Sequence, residues 1–356
     1  MKLNFVSAEN GCFNLNNTAF RFIGCNMYEL ANVDSQTAEL MIRDAFNEGF
    51  TVIRFWAFEP MEKNKLKEIC DIVKSYKIKI IPVLADTHGF LQNYKIDAAW
   101  YKDDYKKNYL KYIADITGTF KNNDEILIWE LINEPITDSF SDIYYFSKNA
   151  SEHIRSADPN HLISIGTIGG IGDKFGNFFS RFNPHIFKEL YSIKTLDVVS
   201  IHDYSFNSTI LERLDILLRL KGRSRSSDVI NKTEKLLNAL PEAIDKLTVS
   251  RSGKTYDFPL TVRKIWKHFN TKNISAAKKL NKPVYVGETG FKKSLKEFRK
   301  IILKNELERY FKSGISGVLL WSFESQGRSL DGHDYGFGIE DGFGEIFKRL
   351  EKMLRS

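Results

Sequence analysis

Two glutamates draw attention because each ends a short apolar run: Ile126–Asn133 leads into Glu134-Pro135, and Pro283–Glu288 ends on Glu288 itself. Two carboxyl groups held apart across one cavity can hydrolyse an acetal. One protonates the leaving oxygen while the other attacks or stabilises the anomeric carbon, and neither role needs a metal or a cofactor. Comparable runs end in further polar or aromatic residues: Arg54 and Trp56, Asp86 and His88, Asn133, His202 and Tyr204, and Trp321. Polar groups at the ends of six apolar strands are costly to bury unless they serve one site.

The elements that must position them follow a repeated β-α pattern, with short apolar runs of buried parallel strands alternating with longer amphipathic stretches. Eight strands are predicted: Phe20–Asn26, Thr51–Ala57, Lys79–Ala85, Ile126–Asn133, His161–Gly166, Leu196–His202, Pro283–Glu288 and Gly317–Phe323. Ser35 is the expected N-cap of the first helix and Gly49 its stop. Eight such units, with no Gly-rich phosphate loop after the first strand, predict an α/β fold of the closed (β/α)8 type, a TIM barrel. In that fold the loops at the C-terminal ends of the strands share one cavity, where the polar residues above collect. Asn16-Asn17 within Gly11–Phe22 predicts a hairpin over the opposite mouth.

The chain of 356 residues is 42% hydrophobic and 27% charged, the composition of a globular protein. A single domain over 1–356 is expected. Strands six and seven lie about 80 residues apart, far more than one crossover helix needs, so 207–282 reads as a helical insertion. Between Arg213 and Lys282 there are 17 Lys and Arg against 6 Asp and Glu, a surplus larger than the +7 of the whole chain. That surplus reads either as a solvated helical face or as a surface for an acidic polymer. Elsewhere the basic residues are scattered, and no nucleic-acid partner is expected. No run approaches the roughly 18 apolar residues that cross a bilayer, and the N-terminus lacks a secretory core. The expectation is no membrane, a cytoplasmic chain or a secreted one with its signal removed, and a monomer. Cys12, Cys25 and Cys70 are odd in number without metal-ligand spacing, and read as free thiols.

Arg54, His88, Asn133, Glu134, His202, Tyr204, Glu288 and Trp321, in that order, resemble the characteristic set of glycoside hydrolase family 5, the cellulase and mannanase family among the retaining barrels. The resemblance spans most of the chain. It implies a carbohydrate substrate, with Glu134 as general acid/base and Glu288 as the nucleophile of a double displacement. Asn133 would hold the sugar 2-hydroxyl, Arg54 and Tyr204 would keep Glu288 ionised and aimed, His202 would sit near the acid/base, and Trp321 would form a sugar platform. Phe22–Tyr28 and the run Arg54–Phe58 are most similar to the mannanase branch, from which Phe55 and Ile136 depart. Transglycosylation would use the same residues, and a non-catalytic carbohydrate-binding barrel would be expected to lose one of the two glutamates.

Several residues carry a plainer reading beside the functional one. His88 reads equally as a structural hydrogen-bonder, and Trp56, Trp100 and Trp266 as sugar platforms or as packing. Trp129 and Glu130, deeper in strand four, are expected to fill or brace the barrel. Asp331, His333 and Asp334 read as a polar turn more readily than as a metal site. Strict alternation places Asn133 and Glu134 on opposite faces, so both reach the cavity only if the strand twists or bulges at its end.

Overall fold

The computed structural model describes residues 4–59, 61–88, 96–137, 139–168, 184–204, 271–293, 298–325 and 334–355. Three short strands, β1 (Ser7–Glu9), β2 (Cys12–Leu15) and β3 (Thr18–Phe20), form an antiparallel sheet. Eight more close a parallel barrel in chain order: β4 (Phe22–Asn26), β5 (Val52–Trp56), β6 (Lys79–Val83), β7 (Ile128–Asn133), β8 (Leu162–Ile168), β9 (Val199–His202), β10 (Val284–Thr289) and β11 (Gly317–Leu320), with β11 returning to β4. These are the eight predicted strands, with ends that differ from the expected bounds by up to three residues. The first splits at exposed Arg21, with Phe20 finishing the hairpin sheet and Phe22 starting the barrel.

The strands read as continuous apolar runs because both faces are covered. On β5, Ile53 and Phe55 pack outward with helical residues such as Ile42, Leu66 and Ile69, while Val52 lies inside the barrel. The N-terminal end of the bore is filled by Val52, Ile81, Ile128, Leu162, Val198, Tyr285 and Leu319, together with Val6 and Phe13 from the hairpin sheet. Asn16 and Asn17 turn that hairpin with φ of 53° and 63°, the left-handed pair that a two-residue turn of this kind requires. The hairpin therefore plugs the mouth remote from the polar strand ends.

The first helix, Ser35–Glu48, is capped by Asp34 and not by Ser35. The Asp34 carboxylate accepts hydrogen bonds from the Thr37 backbone N–H at 2.9 Å and its hydroxyl at 2.8 Å, an arrangement that a serine one residue later cannot make. Gly49 ends the helix with φ of 97°, as expected. Trp100 is core: it packs against Tyr101, Tyr105, Tyr109 and Phe146. Trp129 faces outward, its indole N–H donating to Asp158 at 2.8 Å. All three cysteines are free, Cys25 and Cys70 buried and Cys12 exposed. Among the described residues no helix is long and apolar enough to cross a membrane. Most of the expected insertion over 207–282, including Trp266, lies outside the described residues; 271–278 is helical and leads into β10.

Candidate active site

Above the apolar plug the bore turns polar, and its centre is Arg54, fully buried on β5. A guanidinium has five N–H donors, and here all five are used. Nε and Nη2 donate to Glu130 Oε1 at 3.1 and 2.5 Å, Nη2 also to Asn133 Oδ1 at 2.8 Å, and Nη1 to Asn26 Oδ1 at 2.8 Å and Glu288 Oε1 at 2.7 Å. The second oxygen of Glu130 accepts the Tyr285 hydroxyl at 2.6 Å. A buried cation is tolerated only when neutralised and fully hydrogen-bonded, and Glu130 forms an ion pair with it from below. Glu130 thus braces the barrel as its depth in the strand suggested, and it does so by holding the cation that in turn holds Glu288.

Glu288 receives a second donor, the Tyr204 hydroxyl, on Oε2 at 2.7 Å. Glu134 is held by two imidazoles: His202 Nδ1 lies 2.8 Å from its Oε1 and His88 Nε2 lies 2.7 Å from its Oε2. The structure thus brings His88 into contact with Glu134. His202 Nδ1 is also 3.6 Å from Glu288 Oε2, so it stands between the two carboxyl groups. One oxygen of each glutamate lies within 4.8 Å of the other. Oxygens this close suit the direct attack associated with carboxyl groups roughly 5–5.5 Å apart better than the roughly 6.5–9.5 Å gap that admits a water.

The alternation conflict at Asn133-Glu134 is resolved by backbone distortion. The register of β7 against β8 shifts between Glu130 and Asn133, and Glu134 takes φ of 46°, a left-handed conformation unusual for a residue with a side chain. Strain of this kind persists only where surrounding bonds impose it. Here the Glu134 backbone N–H donates to the Gly166 carbonyl at 2.8 Å, while the side chain is fixed by the two histidines. A similar shift separates Val286 from Glu288 on β10. Gly287, between them, makes room inside the bore: a Cβ there would lie 2.6 Å from Ser200 Oγ and 3.0 Å from His202 Nε2.

Burial penalises both carboxylates, yet the histidines divide them. On Glu134 the hydrogen bonds from His202 and His88 outweigh burial and hold the carboxyl below its usual range. On Glu288 burial prevails over the pull of His202 and Arg54, and the neighbouring charge of Glu134 adds to it, so this group sits above its usual range. Burial opposes the charge on His88, but its hydrogen bond to Glu134 and the nearby carboxylates raise it to about 9. The transferable proton at neutral pH therefore belongs to the Glu134–His88 pair and rests mainly on the imidazole.

Trp321 and Trp56 separate in the structure. Trp321 remains partly exposed, whereas Trp56 is 1% exposed, with the Arg54 guanidinium 4.5 Å over its ring and Tyr28 and Trp321 at 4.9 and 5.4 Å. Trp56, which reads from the sequence as a sugar platform or as packing, lies against Arg54 and Trp321. Glu134, His202 and Glu288 are the described His, Asp, Glu and Cys donors that converge within 4.8 Å, but the Arg54 cation on Glu288 makes the cluster a poor place for a metal ion. Asp334, with φ of 63°, accepts the Lys293 backbone N–H at 2.8 Å, as a turn residue does; Asp331 and His333 lie outside the described residues.

Two residues of the site had no role assigned from the sequence. Asn26 ends β4 as the others end their strands, and its Nδ2 donates to the Gly287 and Leu320 carbonyls at 3.1 and 3.3 Å. Asp86, buried, accepts from Asn133 Nδ2 at 3.0 Å and so fixes which way the Asn133 amide faces. Both satisfy the rule of a polar residue at an apolar strand end that found the rest.

A family model described as cellulase (glycosyl hydrolase family 5) matches residues 13–327. A mannan endo-1,4-beta-mannosidase of Solanum lycopersicum is 26% identical over 252 residues, which is 56% of this chain and 61% of that protein. The chain thus spans about three fifths of the length of the curated relatives it matches. Among solved structures, the endo-1,4-beta-mannanase of Rhizomucor miehei superposes with a TM-score of 0.69 at 15% identity, over 98% of this chain and 99% of that one. The endo-beta-1,4-mannanase of Thermotoga petrophila gives 0.68 at 19% identity, over 96% and 78%.

Proposed function

The chain belongs to glycosyl hydrolase family 5, and from that premise we propose that it is a retaining endo-β-1,4-mannanase with Glu288 as nucleophile and Glu134 as general acid/base. The observation that carries this reading is the pair of carboxyl groups within 4.8 Å, one held by Arg54 and Tyr204 and the other by two histidines. In the first step a Glu288 oxygen forms a bond to the anomeric carbon while the glycosidic C–O bond breaks. The leaving oxygen takes the proton stored on the Glu134–His88 pair. In the second step Glu134 removes a proton from water as the water oxygen displaces Glu288, and two inversions give net retention. Asn133, its amide orientation set by Asp86 and Arg54, presents a donor to the sugar 2-hydroxyl, and Trp321 offers the apolar face for the ring.

The names of the relatives and the residues of Phe22–Tyr28 and Arg54–Phe58 favour β-1,4-mannan over β-glucan or xylan. Incubation with galactomannan, carboxymethylcellulose and xylan tests this. The expected result is a fall in galactomannan viscosity ahead of monosaccharide release, at a rate unchanged by chelators, because neither glutamate role requires a Lewis acid. Activity confined to xylan or glucan would overturn the substrate assignment. A single catalytic domain is part of this reading.

The stored proton gives the pH dependence a definite sign. His88, raised to about 9, keeps its proton below that pH and loses it as the pH rises through it, so kcat/KM should fall on the alkaline side near 9. In His88→Gln the store that His88 provides is lost, and the alkaline limb should move to lower pH with a loss of about 10–100-fold at neutral pH. An alkaline limb that does not move would remove His88 from proton storage.

A further inference from the structure

Tyr335 is 4% exposed and its ring packs on Tyr204, with centroids 5.5 Å apart and planes at 40°. Both rings rest on Gly290, two residues beyond Glu288. A Cβ there would lie 3.0 and 3.1 Å from Tyr335 carbons and 3.2 Å from Tyr204 Cε1. A glycine at this position is what lets the two rings close over the end of β10.

The backbone that carries Tyr335 is fixed from three sides. Arg299, 3% exposed, donates through Nη2 to the Tyr335 and Gly336 carbonyls at 2.6 and 2.8 Å and through Nε to the Phe291 carbonyl at 2.7 Å. One buried guanidinium thus ties the segment after β11 to the segment after β10. The Lys293 N–H donates to the Asp334 carbonyl at 2.8 Å, and the Phe337 N–H to the Ser322 carbonyl at 3.0 Å. Tyr204 stands two residues beyond the end of β9, and its ring lies against Tyr335.

We infer that Tyr335 is a positioning residue, held by Arg299 and seated on Gly290, that sets the Tyr204 ring so that its hydroxyl stays on Glu288 Oε2. The inference rests on the assignment of Glu288 as nucleophile. Its physical content is that the Tyr204 hydrogen bond favours the ionised carboxylate and weakens when Glu288 becomes an ester, so it acts on charge that changes during the reaction. A hydrogen bond of this kind depends steeply on distance and angle, which an unsupported aromatic ring would not maintain.

The test is a double-mutant cycle with Tyr204→Phe, Tyr335→Leu and the pair, on an aryl β-mannoside, with Tyr335→Phe as the conservative variant. Each of the first two should lower kcat by about tenfold or more with little change in KM, and the pair should be no worse than Tyr204→Phe alone. Tyr335→Phe, which keeps the ring, should restore most of the loss. A second readout does not depend on turnover: carbon NMR titration of carboxyl-labelled glutamate. Arg54, His202, Glu134 and Tyr204 all face Glu288, and loss of the Tyr204 bond alone raises its pKa. Tyr335→Leu should therefore shift the Glu288 titration upward, as Tyr204→Phe does. Additive losses in the cycle, or a Glu288 titration unmoved in a folded Tyr335→Leu, would overturn the inference. Should the wild type hydrolyse no mannoside, the function assignment falls, while the titration still decides whether Tyr335 acts through Tyr204.

Discussion

Glu288→Ala is expected to lower kcat on an aryl β-mannoside by on the order of 10⁴-fold or more, because the covalent step then has no nucleophile. The fold should survive. Arg54 keeps Glu130 as its counter-ion and retains Asn26 and Asn133 as acceptors, so the buried cation stays paired. Azide, small enough to enter the space left by the carboxylate, should restore turnover of an activated substrate. The product should be the α-glycosyl azide, since a single displacement from the side of Glu288 inverts the anomeric centre. The check is the rate with and without azide together with NMR of the product. Near wild-type hydrolysis without azide would mean that Glu288 is not the attacking group.

Glu134→Ala should separate substrates by leaving group. For a poor leaving group such as a second sugar, loss of the proton donor is expected to cost about 10²–10⁴-fold. For a dinitrophenyl glycoside, whose oxygen needs no proton, formation of the glycosyl-enzyme should be nearly unaffected and its breakdown should become limiting. Azide then attacks the glycosyl-enzyme and gives the β-glycosyl azide, with configuration retained. The opposite products in the two variants distinguish the roles of two glutamates that lie within 4.8 Å of each other. His88 and His202 lose their common acceptor in this variant, so a melting curve should accompany the kinetics to show that the site has not collapsed.

Much of this architecture is legible in the sequence because a parallel barrel imposes a strong pattern: each strand is buried on both faces and must end where polar residues can face one cavity. That pattern located all eight strands and brought Arg54, His88, Asn133, Glu134, His202, Tyr204 and Glu288 together. It did not disclose how Asn133 and Glu134 share a cavity, because the answer lies in a register shift and a φ of 46° that no side-chain pattern encodes. Nor did it separate Trp56 from Trp321, since two indoles at strand ends look alike until one is found beneath Arg54. Glu130 was readable as a brace from its depth in β7, but its charge balance with Arg54 required the geometry of five donors. Tyr335 lies on no strand and in no motif. Its place depends on Arg299 and on a glycine 45 residues earlier, the long-range packing that periodicity cannot report.

The central claim, a covalent intermediate on Glu288, is tested most directly by trapping it. Incubation with an activated 2-deoxy-2-fluoro-β-mannoside, followed by proteolysis and mass spectrometry, should place one fluorosugar on the peptide containing Glu288, with loss of activity that recovers as the adduct turns over. The fluorine slows both steps by destabilising the oxocarbenium-like transition states, and a good leaving group lets the first outrun the second. A label on another residue, or α-configured product released from natural substrate with no adduct formed, would contradict the account.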